Sequence, residues 1–185
     1  MPLDIGVGIM LAMASARAFH VTLSWHVVIW GILFALLPDL DVIPEMIVRR
    51  GKLGGKEISW HRELLHFPLT YVIPATLVCV LAGPLYGFLF AAGVLAHLVH
   101  DSVGIGWGIK WAWPFNKNSY KFFSNRQNGM SWQLLTHWTP EELPAAVREY
   151  GDPDWIKHYY FEFHPIVITE IAIFILALAL WYVWR

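Results

Sequence analysis

The sequence predicts an all-α fold, a polytopic membrane helical bundle of about four to five spans with a cytoplasmic segment of short interfacial helices. Three observations predict it. Of 185 residues, 57% are apolar and only 15% charged, with mean hydropathy +0.48, against about 45–50% and about 25% in ordinary soluble domains. Eleven Trp, eleven Phe and seven Tyr suit a chain that meets membrane–water boundaries repeatedly. Apolar stretches near the ~20 residues of a crossing recur along the chain. The same numbers exclude disorder, and the single cysteine, Cys79, excludes a disulfide scaffold. A net charge of -1 at pH 7 provides no field to recruit a polyanion, so no nucleic-acid partner is expected.

The last span is the clearest. Pro165 to Trp184 contains one charge, Glu170, and ends in Trp181-Tyr182-Val183-Trp184-Arg185, an aromatic and cationic anchor. Phe67 to Ala96 has no formally charged residue and is broken by Gly83-Pro84. Pro lacks an amide donor and Gly readily takes turn geometry, so this region reads as a helical hairpin whose arms extend to His61 and Val103. Leu3 to Ala16 and Val21 to Leu37 read as two short spans. Ala14-Ser15-Ala16 resembles a processing site, but no Lys or Arg precedes that apolar run and Asp4 lies where a positive region should be. One domain is expected, organised as a bundle over 1–103, a cytoplasmic or interfacial helical segment over 104–164 and a final span over 165–185.

Eleven of the 13 Lys and Arg residues lie between Arg49 and Arg62 or between Gly104 and His164. The excess of cations in cytoplasmic loops places both segments on the cytoplasmic side of an inner (plasma) membrane. Within the second segment, Thr139-Pro140-Glu141-Glu142 has the residues of a capping box, with Pro at the first helical position. Gly151 is a stop for that helix. Asp152-Pro153-Asp154 starts another, whose Trp155, Ile156, Tyr159, Tyr160 and Phe163 suit a membrane surface.

Three polar clusters interrupt this apolar chain: Pro38-Asp39-Leu40-Asp41, His61-Arg62-Glu63-Leu64-Leu65-His66, and His97-Leu98-Val99-His100-Asp101. The expected topology puts each at the cytoplasmic end of a span, at one depth. His97 and Asp101, four apart, stack on one helical face, as two ligands of one metal would. Arg62 and His66 share a face for the same reason, whereas His61 falls at or before the helix start. Asp39 and Asp41, two apart, need a non-helical turn, for which Pro38 is suited. A mixed carboxylate and imidazole set favours Zn²⁺, Mn²⁺ or Fe over Ca²⁺ or Mg²⁺. Six candidate ligands, Asp39, Asp41, His61, His66, His97 and Asp101, exceed one tetrahedral site, so one or two ions are expected, Zn or Mn foremost.

Plainer readings stand beside these. Asp39 and Asp41 could simply stop a helix, and His61 or His66 could sit at headgroup level. His100 fits a role behind the ligands or in solvent. Glu170 could pair with a buried His or Arg, since charge inside a membrane is costly. His20, His26, His137, His158 and His164 read as interfacial, and Trp107 to Phe115 as a membrane anchor. Chance explains one such motif easily and three at one depth poorly.

At these residues the chain resembles the YdjM-like family of inner-membrane, metal-dependent hydrolases. That family's pattern is Pro-Asp-(Ile/Leu)-Asp, then His-Arg-Gly-x-Thr-His, then His-x-x-x-Asp, with a Gly/Pro-rich stretch running to Trp-Pro. Here these stand as Pro38 to Asp41, His61 to His66, His97 to Asp101, and Gly104-Ile105-Gly106 to Trp113-Pro114, in matching order over about residues 30–115. Glu63 replaces the Gly and Leu65 the Thr of the second motif. Family members often have a His near the N-terminus; the nearest polar residue here is Asp4, a weak substitute.

The function expected is a membrane-bound metal hydrolase acting on a phosphoester or other lipid-linked substrate at the cytoplasmic leaflet, with membrane lipid as its partner. Arg62 would clamp an anionic phosphate, with Lys110 as a second cation. His100 or Glu63 would serve as general acid or base. A rival reading is a non-catalytic membrane module, whose structural metal or ion-pair cluster anchors a partner. A transporter is a third, for which the chain is short and shows no repeat pair.

Overall fold

The computed structural model describes residues 2–48, 62–63, 65–103, 106–124, 130–150, 152, 154, 157–162 and 164–184. Seven α-helices and one two-stranded sheet lie among them. Helix α1 is Pro2–Ala18 and α2 Trp25–Leu36, followed by a 3-10 turn, Leu37–Asp41, and α3, Val42–Val48. A second 3-10 turn, Pro68–Tyr71, leads into α4, Val72–Ala82, and then α5, Pro84–Val103. Strands β1, Ser119–Ser124, and β2, Met130–Trp138, precede α6, Leu143–Tyr150, and α7, Pro165–Trp184. Gly151, Trp155, Ile156 and Phe163 lie outside the described residues, as does His61.

Three helical stretches are long and apolar enough to cross a membrane: Trp25–Glu45, Pro84–Val103 and Pro165–Trp184. Helix α1 has 17 residues, and Pro68–Ala82 is a shorter apolar helix. Both fall below the ~20 residues of a full crossing, so the described helices support three of the four to five spans expected.

The chain divides into two compact units. The first comprises Met1–Pro38, Thr70–His97 and Phe163–Arg185. Its helices pack through small residues, as membrane helices do where lipid removes the hydrophobic drive for association. A Cβ on Gly8 would lie 2.7 Å from the Gly31 carbonyl oxygen, and one on Gly31 would lie 2.5 Å from that of Gly8. The α1 and α2 backbones therefore touch at a point that admits no side chain. Ile9, Ala12, Val28, Ala35, Leu89, Val94 and Val167 are buried in this unit. Ser24 caps α2, its Oγ accepting from Val27 N at 3.4 Å. The hairpin break falls where the sequence places it: Gly83, at φ +97°, ends α4, and Pro84 begins α5. His26 has Nδ1 at 2.9 Å from the Tyr86 hydroxyl and Nε2 accepting from Trp30 Nε1 at 3.0 Å.

The second unit comprises Asp39–Leu69 and Leu98–Glu162. It departs from the all-helical expectation. Strands β1 and β2 pair antiparallel, with Ser119 opposite Trp138, Lys121 opposite Thr136 and Phe122 opposite Leu135. Aromatic and β-branched residues fit a pleated surface as well as an interface, and inward Ser119, Lys121 and Ser124 alternate with less buried neighbours. The capping box forms as the sequence predicts: Thr139 N donates to Glu142 Oε2 at 3.1 Å and Glu142 N to Thr139 Oγ1 at 3.3 Å. It directs α6 so that Leu143, Ala146 and Val147 bury against Trp138.

Candidate metal centre

In the second unit one residue from each of the first and third clusters, Asp41 and Asp101, flanks His66 of the second. The 3-10 turn at Leu37–Asp41 supplies the non-helical geometry that two aspartates two residues apart require. Asp41 Oδ2 accepts from Arg62 N at 3.2 Å and Leu65 N at 3.3 Å, and stands 3.0 Å from His66 Nδ1. One carboxylate oxygen thus engages Arg62, Leu65 and His66 together. Arg62 sits there at φ +72°, a left-handed conformation that costs about 1–3 kcal/mol unless its surroundings fix it. Asp41 fixes it.

Asp101 engages the same turn from α5. Its Oδ1 pairs with Arg62 Nη2 at 3.0 Å, its carbonyl oxygen accepts from Arg62 Nη1 at 3.4 Å, and its Oδ2 lies 2.9 Å from His66 Nε2. His66 is buried, with a carboxylate oxygen beside each ring nitrogen. Burial pushes its pKa down, but the hydrogen bonds to Asp101 and Asp41, reinforced by their charges, outweigh burial and raise it above the ordinary value. Glu63 is held by Lys110, whose Nζ donates to Oε1 at 2.6 Å. This pairing engages the Lys110 ammonium that the sequence offered as a second phosphate clamp.

His97, on α5, has a different environment. Its Nδ1 is 2.9 Å from the Ala35 carbonyl oxygen and 3.2 Å from Asp4 Oδ1. A carbonyl can only accept, so Nδ1 carries a proton; in the neutral ring Nε2 would present its lone pair, the arrangement of most metal-ligating histidines. Of the sequence-derived candidate ligands, Asp39, Asp41, His66 and Asp101 belong to the second unit and His97 to the first. An imidazole among carboxylates is a donor set that fits Zn²⁺ or Mn²⁺ chemically. Asp41 and Asp101, each tied to the 62–66 turn, fit an orienting role at least as well as a ligating one. His100 is half-buried on α5.

Among the described residues four buried charged ones are not in the sequence-derived set: Asp4, Glu45, Lys121 and Glu170, the last on the final span. Asp4, read there as a weak substitute, is 3% exposed and beside His97; nothing local marks it, since the contact spans the chain. Glu45 is 1% exposed, and its spacing of four from Asp41 was the available signal. Lys121 is 0% exposed; its only signal is inward register in a strand that sequence reasoning did not find.

A family model described as YdjM inner membrane protein matches residues 4–185. No curated protein and no solved structure matches the chain.

Proposed function

The chain belongs to the YdjM inner membrane protein family, and on that basis we propose that it is a membrane-bound, metal-dependent hydrolase acting on a phosphoester or lipid-linked substrate at the cytoplasmic leaflet. The observation that carries the reading is the convergence, within the second unit, of Asp41, His66 and Asp101 from three separate sequence clusters, with carboxylate oxygens 3.0 and 2.9 Å from the two ring nitrogens of His66. These residues would hold one divalent ion, Zn or Mn, and the surplus of carboxylates around them leaves room for a second. A bound ion would acidify water and polarise the scissile group.

The chain's own residues supply the rest. The Ala35 carbonyl and Asp4 hold the His97 ring in one tautomer. Asp41 and Asp101 orient His66 and restrain the turn that carries Arg62. The Arg62 guanidinium is the group suited to a phosphoryl oxygen. Glu63, 30% exposed at its side chain and paired with Lys110, is the acid or base best placed to exchange protons with water, and His100 is the other. Membrane lipid is the expected surroundings and lipid phosphate a natural substrate class.

Metal analysis of the purified chain tests this, together with hydrolase screening on lipid phosphates and generic phosphoesters. About one transition metal per chain and a Tm that falls in chelator are expected; less metal, with an unchanged Tm, ends the reading. The leaflet is tested separately. Cysteines placed at Lys56 and Asn118 should be labelled only from the cytoplasmic side, and labelling from opposite sides rules the assignment out. The ion-pair network of Arg62, Asp101, His66 and Asp41 also favours a second reading, a non-catalytic module anchored by that network. A metal-saturated protein with no open coordination position would select it.

A further inference from the structure

The β1–β2 hairpin has the reverse of the polarity that water would select. Residues directly opposite one another on paired antiparallel strands share a face. One face carries the pairs Ser119–Trp138 and Lys121–Thr136. Those side chains are buried, as is Ser124 beyond the bulge. The other face carries Tyr120–His137 and Phe122–Leu135, with Tyr120 and Phe122 half-buried and His137 and Leu135 exposed. Phe123, at the bulge, is exposed as well. An antiparallel sheet with one face in water packs its apolar side and wets its polar one. Polar inward and apolar outward is the alternation of strands that face lipid.

Hydrogen bonds fix the height of this face. Helix α5 is long and apolar enough to cross a membrane, and the hairpin is tied to its last two residues. Ser124 Oγ donates to the Val103 carbonyl oxygen at 3.2 Å, and Trp111 Nε1 donates to Ser102 Oγ at 2.8 Å. The Trp111 ring in turn lies 6.0 Å from that of Phe122. Val99, one helical turn before Val103, is exposed, so apolar surface of the span runs up to the residues that hold the hairpin. In the aromatic run before β1, Trp113 stacks on Phe67 at 4.7 Å, whereas Phe115 is 88% exposed and is followed by the exposed Lys117.

We propose that the outer face of the β1–β2 hairpin, together with Phe115, docks on the lipid leaflet at which α5 ends. Its aromatic and apolar side chains sit among headgroups and upper acyl chains, and Lys117 meets anionic headgroups. The hairpin thereby turns its polar side chains into the second unit and its back to lipid. Lipid is the occupant, rather than a second copy of the chain, because the face is pinned to the end of a span and aromatic residues with a flanking cation are what membrane boundaries select. This goes beyond the hydrolase reading and requires no bound metal.

The test uses the full chain, with Cys79→Ser as background, reconstituted in phosphatidylcholine–phosphatidylglycerol vesicles. Phe115→Cys, Phe123→Cys and Leu135→Cys each carry an environment-sensitive fluorophore, and Glu149→Cys, at an exposed position of α6, is the aqueous control. The three hairpin labels should lose about half or more of their emission to lipid nitroxides held just below the headgroups, and the control less than about a tenth, as seating about 5–10 Å into that boundary requires. Quenching of all three no greater than the control overturns the proposal. Quenching at Phe115→Cys alone confines the contact to the aromatic run and overturns the sheet face. Labels shielded from aqueous iodide yet untouched by lipid nitroxides mean that protein covers the face, and this outcome also overturns it. Should a strand variant not fold, the wild type still decides. In vesicles containing a lipid with a carbene precursor near its headgroup, cross-links must map to residues 120–123 or 134–137, and cross-links confined to the helices overturn the proposal.

Discussion

His97 and His66 are both buried imidazoles, but their surroundings differ in kind. His97 has one nitrogen tied to a backbone carbonyl, with Asp4 beside it. A backbone carbonyl only accepts, so it keeps a proton on Nδ1. His66 has an aspartate oxygen beside each nitrogen, and these carboxylates stabilise a fully protonated ring. The first environment prepares a ligand and the second a cation. A metal at His66 must therefore displace a proton, which couples metal uptake to pH at that residue.

Removing either ring should have the most severe consequence. If both ligate, His97→Ala and His66→Ala should each reduce metal content from about one per chain to near zero, and the double variant should lose no more, because residues acting as a unit are not additive. Metal retained by either single variant, measured by elemental analysis, would leave only the other histidine as a ligand.

A second pair of variants separates the orienting aspartates. Asp41→Asn weakens an oxygen that serves Arg62 N, Leu65 N and His66 Nδ1, and should cost about 2–4 kcal/mol in denaturant unfolding of the metal-free chain. Asp4→Asn leaves the Ala35 carbonyl on His97 and should cost about 1 kcal/mol. Equal losses would show that the two histidines are held alike.

The third prediction uses pH. The raised pKa of His66 means that its contribution is fully present below about pH 6.5, its unfolded value, and is lost as pH rises through the folded value. Lys121 runs the other way. Its folded pKa of about 7 lies below the ordinary value of 10.5, so the unfolded chain binds the extra proton between them. Stability then gains up to about 1.4 kcal/mol per pH unit across that window. In metal-free protein His66→Gln should remove the falling limb of the stability profile and Lys121→Met the rising one. Profiles that keep both limbs would contradict these assignments.

A control completes the set with a minor change far from either histidine in sequence. Thr139→Ala opens the capping box of α6 and should cost about 1 kcal/mol, with metal content and both pH limbs unchanged. Coupling between Thr139→Ala and Asp41→Asn in a double-mutant cycle would show that the two parts of the second unit are not independent.

Much of the fold and part of the site are legible in the sequence wherever the determining interaction is local. Gly83-Pro84 breaks a helix because of its own backbone chemistry, and Thr139 and Glu142 cap one because they are three residues apart. The spacing of His97 and Asp101 on one face of α5 follows from helical periodicity alone. The β1–β2 pair is not legible in this way. Its aromatic strands resemble interfacial segments, and whether such a segment pairs or lies on a membrane depends on what it packs against.

The residues alone establish that this is a membrane chain, that its helices break at particular positions, and that carboxylates and histidines occur in three clusters too polar for their surroundings. Hydropathy, capping and periodicity act over a few residues, so a short stretch of sequence carries that information in full. Which partner each charge takes is a different matter, settled by tertiary packing. Asp4 reaches His97 across more than ninety residues, Lys110 goes to Glu63 rather than to an open clamp, and Lys121 is buried behind Arg62. A buried charge is tolerable only beside its compensating partner, and that partner is chosen by packing between elements far apart in the chain.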